Sequence, residues 1–109
     1  MRIVTEDEFR TALFTCLDRW RGRVKSVSGP GRSGALAAVY ASHYLGVPWL
    51  PMGMVVPAAL RPVLVVDTAM KTGATLRRAA RVMQAEMTWV FNEPPRIKFW
   101  YEREAWKDK

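Results

Sequence analysis

Asp67, Lys71, Thr72 and Thr75 fall within one short stretch together with Gly73 and Ala74. Together they offer an ionised acceptor, a cation, two hydroxyls and a backbone that a ligand can approach closely. That set suits a phosphate, which needs several convergent donors. The β-favouring run Val63 to Val66 precedes it, so Asp67 is expected where a buried strand ends. Leu76, Ala79, Ala80, Met83 and Met87 follow at helical spacing. They predict a helix whose first N–H groups, lacking intrahelical partners, point at the loop.

A second loop of the same kind lies upstream, at Gly29-Pro30-Gly31-Arg32-Ser33-Gly34. Val24 and Val27 among polar neighbours predict a strand over 23–28 that enters it. Leu36, Val39, Tyr40 and the alanines predict a helix from about Ser33 to Leu45, with Gly46 and Pro48 as its stop. Other chemistries fit poorly. Ser33 has no histidine and acid set to make it a nucleophile. Lys71 precedes its glycine, which a Walker phosphate loop does not allow. His43 stands late in a helix with no metal-ligand spacing around it, and Cys16, the single cysteine, sits on an apolar helical stripe.

The elements that must position these loops follow from pattern. Thr5 with Glu8 opens a capping box, and Phe9, Ala12, Leu13, Cys16, Leu17 and Trp20 repeat on one face, predicting a helix over 6–20. Prolines confine the segment 47–62 to short extended pieces, expected near 49–52 and 54–56. Thr88 to Phe91 reads as a strand, 92–95 as a turn, and the aromatic run 97–101 as a last strand before a charged tail. Strands alternating with helices predict one α/β domain over residues 1–109, with a mostly parallel sheet covered on both faces. Ligands bind beyond the carboxyl ends of such strands, where both loops fall.

Seventeen Lys and Arg against ten Asp and Glu give a net charge of +7, which favours phosphate-bearing partners. The basic residues are scattered, with modest clusters at 19–25 and 77–81, so a small anion is expected ahead of nucleic acid. Apolar runs fall short of the roughly 20 residues of a membrane span, and the N-terminal segment is too acidic for a signal peptide. A cytoplasmic protein is the expectation. Trp49, Met52, Met54 and Val55 are more apolar surface than a small domain easily buries, so a homodimer is also expected.

The strand–Asp67–loop–Thr72-Gly73-Ala74-Thr75–helix block resembles the signature of type I phosphoribosyltransferases, which bind 5-phosphoribosyl-1-diphosphate (PRPP). The segment from Val27 to Ala38, with Tyr44 to Pro48 behind it, is similar to that family's first strand, diphosphate loop and helix. The resemblance implies a three-layer, Rossmann-like α/β/α fold. It implies that Asp67 accepts from ribose hydroxyls, and that Lys71, Thr72, Gly73, Ala74 and Thr75 wrap the 5′-phosphate. Asp67 and Lys71 are then the residues nearest the reaction. Gly29, Gly31, Arg32, Ser33 and Gly34 would face the diphosphate, with Mg²⁺ carried by the ligand's own oxygens. Phe99, Trp100 and Tyr101 would stack a base.

An active member transfers the phosphoribosyl group to a nitrogenous base and releases diphosphate. The chain departs from the family at Thr68, where a second acid is usual, and at Lys71. It also departs in the short segment from Gly53 to Pro62, where active members carry a long closing loop, and in a hood that is reduced or absent. These departures keep a second reading open, a binding or regulatory module acting through a protein or nucleic-acid partner.

Overall fold

The computed structural model describes residues 2–70, 73–92 and 97–102. Its elements run β1 (Arg2–Val4), α1 (Glu6–Leu17), β2 (Ser26–Ser28), α2 (Gly31–Leu45), β3 (Val63–Met70), α3 (Ala74–Met83), β4 (Glu86–Asn92) and β5 (Ile97–Phe99). All pairing between these strands is parallel. The central sheet has the order β2-β3-β4, and β1 pairs with β5 in a small separate sheet.

β3 is the axis of the core because its side chains alternate between two apolar clusters. Leu64 and Val66 pack with Phe9, Leu13, Leu17, Ala37, Ala38 and Ala41 from α1 and α2. Val63 and Val65 face the other way, onto Leu76, Ala79 and Met83 of α3. A strand buried on both faces reads as a continuous apolar run, which explains the Val63 to Val66 pattern. The result is three layers with helices on both sides of a parallel sheet.

The helices start where side-chain chemistry allows. Thr5 Oγ1 accepts from the Glu8 N–H at 3.2 Å, opening α1, which ends in a 3₁₀ turn over Asp18–Trp20. α2 begins at Gly31 rather than Ser33, because Pro30 takes the extended cap position and Gly31 turns the chain at a φ of 64°. Gly46 closes it in the left-handed region.

Several expectations need correction. β3 does not stop at Asp67. It continues to Met70 because β4 offers partners alongside, with Asp67 opposite Trp89 and Met70 opposite Asn92. The third helix does not reach Met87. Gln84 adopts a φ of 52°, the Ala85 N–H returns to Ala80 O, and the Arg61 guanidinium donates to Met83 O, so the helix is closed there and Met87 joins β4. β2 is shorter than 23–28. The stretch 49–52 makes one bridge, Trp49 beside Val27, since Pro48 and Pro51 have no N–H to extend the ladder. Residues 54–56 form no strand. The last strand ends at Phe99, where Phe99 O accepts from the Glu102 N–H in a turn. The turn expected over 92–95 lies mostly outside the described residues, and β1 carried no signal in so short a segment.

β1 and β5 are tied into the larger core by aromatics. The Phe9 ring stands edge-on to Phe99, with centroids 6.0 Å apart, and tilted against Trp100 at 5.5 Å. Phe99 is 4% exposed. Phe99→Ala is therefore expected to cost about 3–5 kcal/mol, measured as the shift in free energy of urea unfolding.

Candidate functional site

The crevice of an open α/β sheet forms where the crossover direction reverses. Here that point lies between β2 and β3. From β2 the chain crosses through α2, on the α1 side, to the Trp49 bridge on the far edge of β2. From β3 it crosses through α3, on the opposite face, to β4. The starts of α2 and α3 thus flank the carboxyl ends of two adjacent strands. Both sequence loops open there.

Glycine makes this approach possible. A Cβ on Gly29 would sit 2.0 Å from Gly34 O and 2.6 Å from Val66 O, and one on Gly34 would meet Pro30 Cδ at 2.7 Å. The loop backbone lies directly on β3. Gly29 and Gly34 are buried and act by this close packing, whereas Gly31 and Arg32 stand exposed at the start of α2 and Ser33 is half-buried. Of the expected diphosphate residues, the structure leaves Gly31, Arg32 and Ser33 able to meet a ligand.

On the α3 side lies a cavity of about 210 Å³ lined by Asp67, Ala69, Met70, Gly73, Ala74, Thr75 and Leu76. Gly73 holds a φ of 82° as the α3 cap, a conformation that favours glycine. Asp67, Gly73, Ala74 and Thr75 are therefore brought together as expected. Lys71 and Thr72 lie outside the described residues. The Arg77 guanidinium stands over Gly73, where a Cβ would approach Nη1 at 2.5 Å. It is a cation beside the loop between β3 and α3 that sequence pattern assigned only to a surface cluster.

Asp67 is half-buried, and burial raises its carboxyl above the usual range against the opposing Thr68 N–H, which donates to Oδ1 at 2.8 Å. Thr68, one residue on, points to the α2 side and is 4% exposed. There the Tyr101 hydroxyl donates to Ser33 Oγ at 2.9 Å. Tyr101 was expected to stack a base, yet its ring lies flat on Phe99 at 5.5 Å and its polar end faces the crevice. Phe99 cannot stack a base either, because it is core. Trp100 packs against Phe9 and Tyr101. The polar role of Tyr101 had no local signature, since it depends on the turn after β5.

Other candidates are inert. Cys16 donates to Trp89 O, and burial pushes its thiol up, against the pull of Arg19. His43 is exposed, and no group of three or more His, Cys, Asp or Glu side chains among the described residues is placed to hold a metal. No helix among them is long and apolar enough to cross a membrane.

No family model and no curated protein matches the sequence. Solved structures do match. Purine phosphoribosyltransferase from Pyrococcus horikoshii Ot3 aligns with a TM-score of 0.68 at 20% identity, over 94% of this chain and 95% of that one. Xanthine-guanine-hypoxanthine phosphoribosyltransferase from Helicobacter pylori gives 0.77 at 12% identity, over 95% of each chain. An adenine phosphoribosyltransferase gives 0.53 at 14% identity, over 85% of this chain and 78% of that one. The fold is that of the type I phosphoribosyltransferases.

Two outcomes test this geometry. Gly29→Ala should destabilise the protein by at least about 3 kcal/mol or prevent folding, as read by thermal melting, since backbone blocks the added methyl on two sides. For Asp67 the sign runs the other way. A carboxyl raised by burial weakens the fold as pH rises through its ordinary and then its raised value, so Asp67→Asn should hold or raise the melting temperature at pH 7. The gap should close as the pH falls below both values.

Proposed function

We propose that this chain is a phosphoribosyltransferase-like protein that binds PRPP or a nucleotide 5′-phosphate in the crevice between β2 and β3. The observation that carries this reading is the cavity that sets Asp67 beside the start of α3. A phosphate seated there would meet Gly73, Ala74 and Thr75 at the positive end of the α3 dipole. Lys71 and Thr72 belong to the same loop by sequence. Asp67 would then accept from the ribose hydroxyls, and Arg32 and Ser33 at the start of α2 would meet a diphosphate.

Mg²⁺ fits this arrangement as a ligand-borne ion, because Asp67 is the one carboxylate lining the cavity among the described residues. When bound it would offset charge on the diphosphate oxygens. In turnover, the bond from ribose C1 to the diphosphate oxygen breaks, a bond from C1 to the base nitrogen forms, and that nitrogen gives up its proton. The residues named here contribute by positioning and by charge, not by covalent chemistry.

A second reading, binding without turnover, is favoured by the segment before β3. Its Val56 is 5% exposed within the α3-side core, and Ala58–Leu60 forms a 3₁₀ turn there, so this stretch is fixed to the body rather than built as a closing lid. Incubation with PRPP, Mg²⁺ and a panel of purine and pyrimidine bases separates the two readings. Diphosphate release at a useful rate removes the second.

Calorimetry with PRPP and Mg²⁺ tests binding itself. Asp67→Ala should weaken affinity about tenfold to a hundredfold, the loss expected for charge-assisted hydrogen bonds of about 1.5–3 kcal/mol. Affinity should also fall as the pH is lowered, beginning above the ordinary aspartate value of about 3.9 because burial raises Asp67. No measurable binding, or binding indifferent to Asp67, refutes the assignment.

A further inference from the structure

The crevice has two halves: the α3 side holds the 210 Å³ cavity, and on the α2 side the Tyr101 hydroxyl lies against Ser33. The 210 Å³ cavity reaches Asp67 and the start of α3 but is not lined by Ser33, Thr68 or Tyr101. On the other side the Tyr101 ring spans from β5 to α2, stacked on Phe99 at an interplanar angle of 11° and edge-on to Trp100 at 5.0 Å. Its hydroxyl donates to Ser33 Oγ at 2.9 Å. That is the place where a diphosphate facing α2 would have to lie.

The chain around Tyr101 is well fastened. The Trp100 N–H donates to Val4 O at 3.0 Å, extending the β1–β5 pairing. The Glu102 carboxylate accepts from the Phe99 N–H at 2.7 Å while the Glu102 N–H returns to Phe99 O. Burial keeps the Tyr101 phenol in its neutral form well past neutrality, so it presents no charge that would repel or attract the ligand. To clear Ser33, a ligand must therefore break a ring stack and the hydrogen bond from the phenol.

We propose that Tyr101 is a specificity-determining residue that closes the diphosphate half of the crevice, so that the protein takes a pentose 5-phosphate or nucleoside 5′-monophosphate at least as well as PRPP. The inference rests on the 5′-phosphate reading above. Size agrees with it: 210 Å³ is below the roughly 300–1,000 Å³ of pockets that enclose whole drug-sized ligands, and suits a phosphate with its sugar. The diphosphate of PRPP adds charge but meets Ser33 Oγ already accepting from the phenol. Removing the phenol should free that hydroxyl.

Calorimetric titration of the whole chain with ribose 5-phosphate, and separately with PRPP and Mg²⁺, gives the ratio of affinities. The wild-type protein is expected to bind the two within a few-fold of each other. Tyr101→Ala should tighten PRPP about tenfold, equivalent to about 1.4 kcal/mol, and leave ribose 5-phosphate unchanged. Tyr101→Phe keeps the stack on Phe99 but loses the hydrogen bond to Ser33, so it should move the ratio in the same direction by a smaller factor, and it decides the matter if the alanine variant fails to fold. Wild-type preference for PRPP of tenfold or more, or weaker PRPP binding by either variant, overturns the proposal, since Tyr101 would then be a ligand contact. An unchanged ratio in Tyr101→Phe overturns it as well. Absence of binding for both ligands in every form overturns the 5′-phosphate reading itself, and this inference with it.

Discussion

The contact on which the site depends is between backbones. Gly29 and Gly34 lie so close to each other and to Val66 O that neither position has room for a single methyl group. This approach seats the start of α2 against β3 and fixes the width of the crevice. With a side chain at either glycine, α2 would have to lift off β3 and Ser33 would move away from Thr68. The apolar alternation along β3 then holds the opposite wall, because α1 and α2 press on Leu64 and Val66 while α3 presses on Val63 and Val65. Packing density of this kind transmits small displacements rather than absorbing them.

Electrostatics follow from that frame. Asp67 is drawn into the protein far enough to raise its carboxyl, and the described residues give it one hydrogen bond, from the next N–H along the chain. A group left in that condition costs the fold something in exchange for a preorganised acceptor, a pattern common at binding sites. The basic surface works at longer range, raising the local concentration of phosphates through a net charge of +7 without choosing among them.

Much of this was legible in the sequence because it is local. The run Val63 to Val66, the two glycine loops, the Thr5 cap and the Gly46 stop each carry their own physical signal, and they place both loops after parallel strands. What was not legible depends on partners distant in sequence. The β3 strand outlasts Asp67 only because β4 lies beside it through Asn92. The helix expected to reach Met87 stops at Met83 because Gln84 takes a left-handed conformation with neither glycine nor proline to mark it, and because Arg61 supplies the closing hydrogen bond. Gly29 and Gly34 read as ligand contacts until their distances revealed a packing role. Phe99 and Tyr101 read alike as aromatics, but one is core and the other turns its hydroxyl into the crevice.

The pairing of β1 with β5 sets an order of assembly. Arg2 lies beside Ile97 and Val4 beside Phe99, so this small sheet joins segments separated by nearly the whole length of the described chain. Closing so large a loop is entropically the slowest kind of contact to form, and it comes after the local strand–helix units have condensed. The central crevice can therefore exist before Tyr101 arrives at Ser33. The placement of Tyr101 on the α2 side of the crevice is thereby tied to the pairing of the first and last strands.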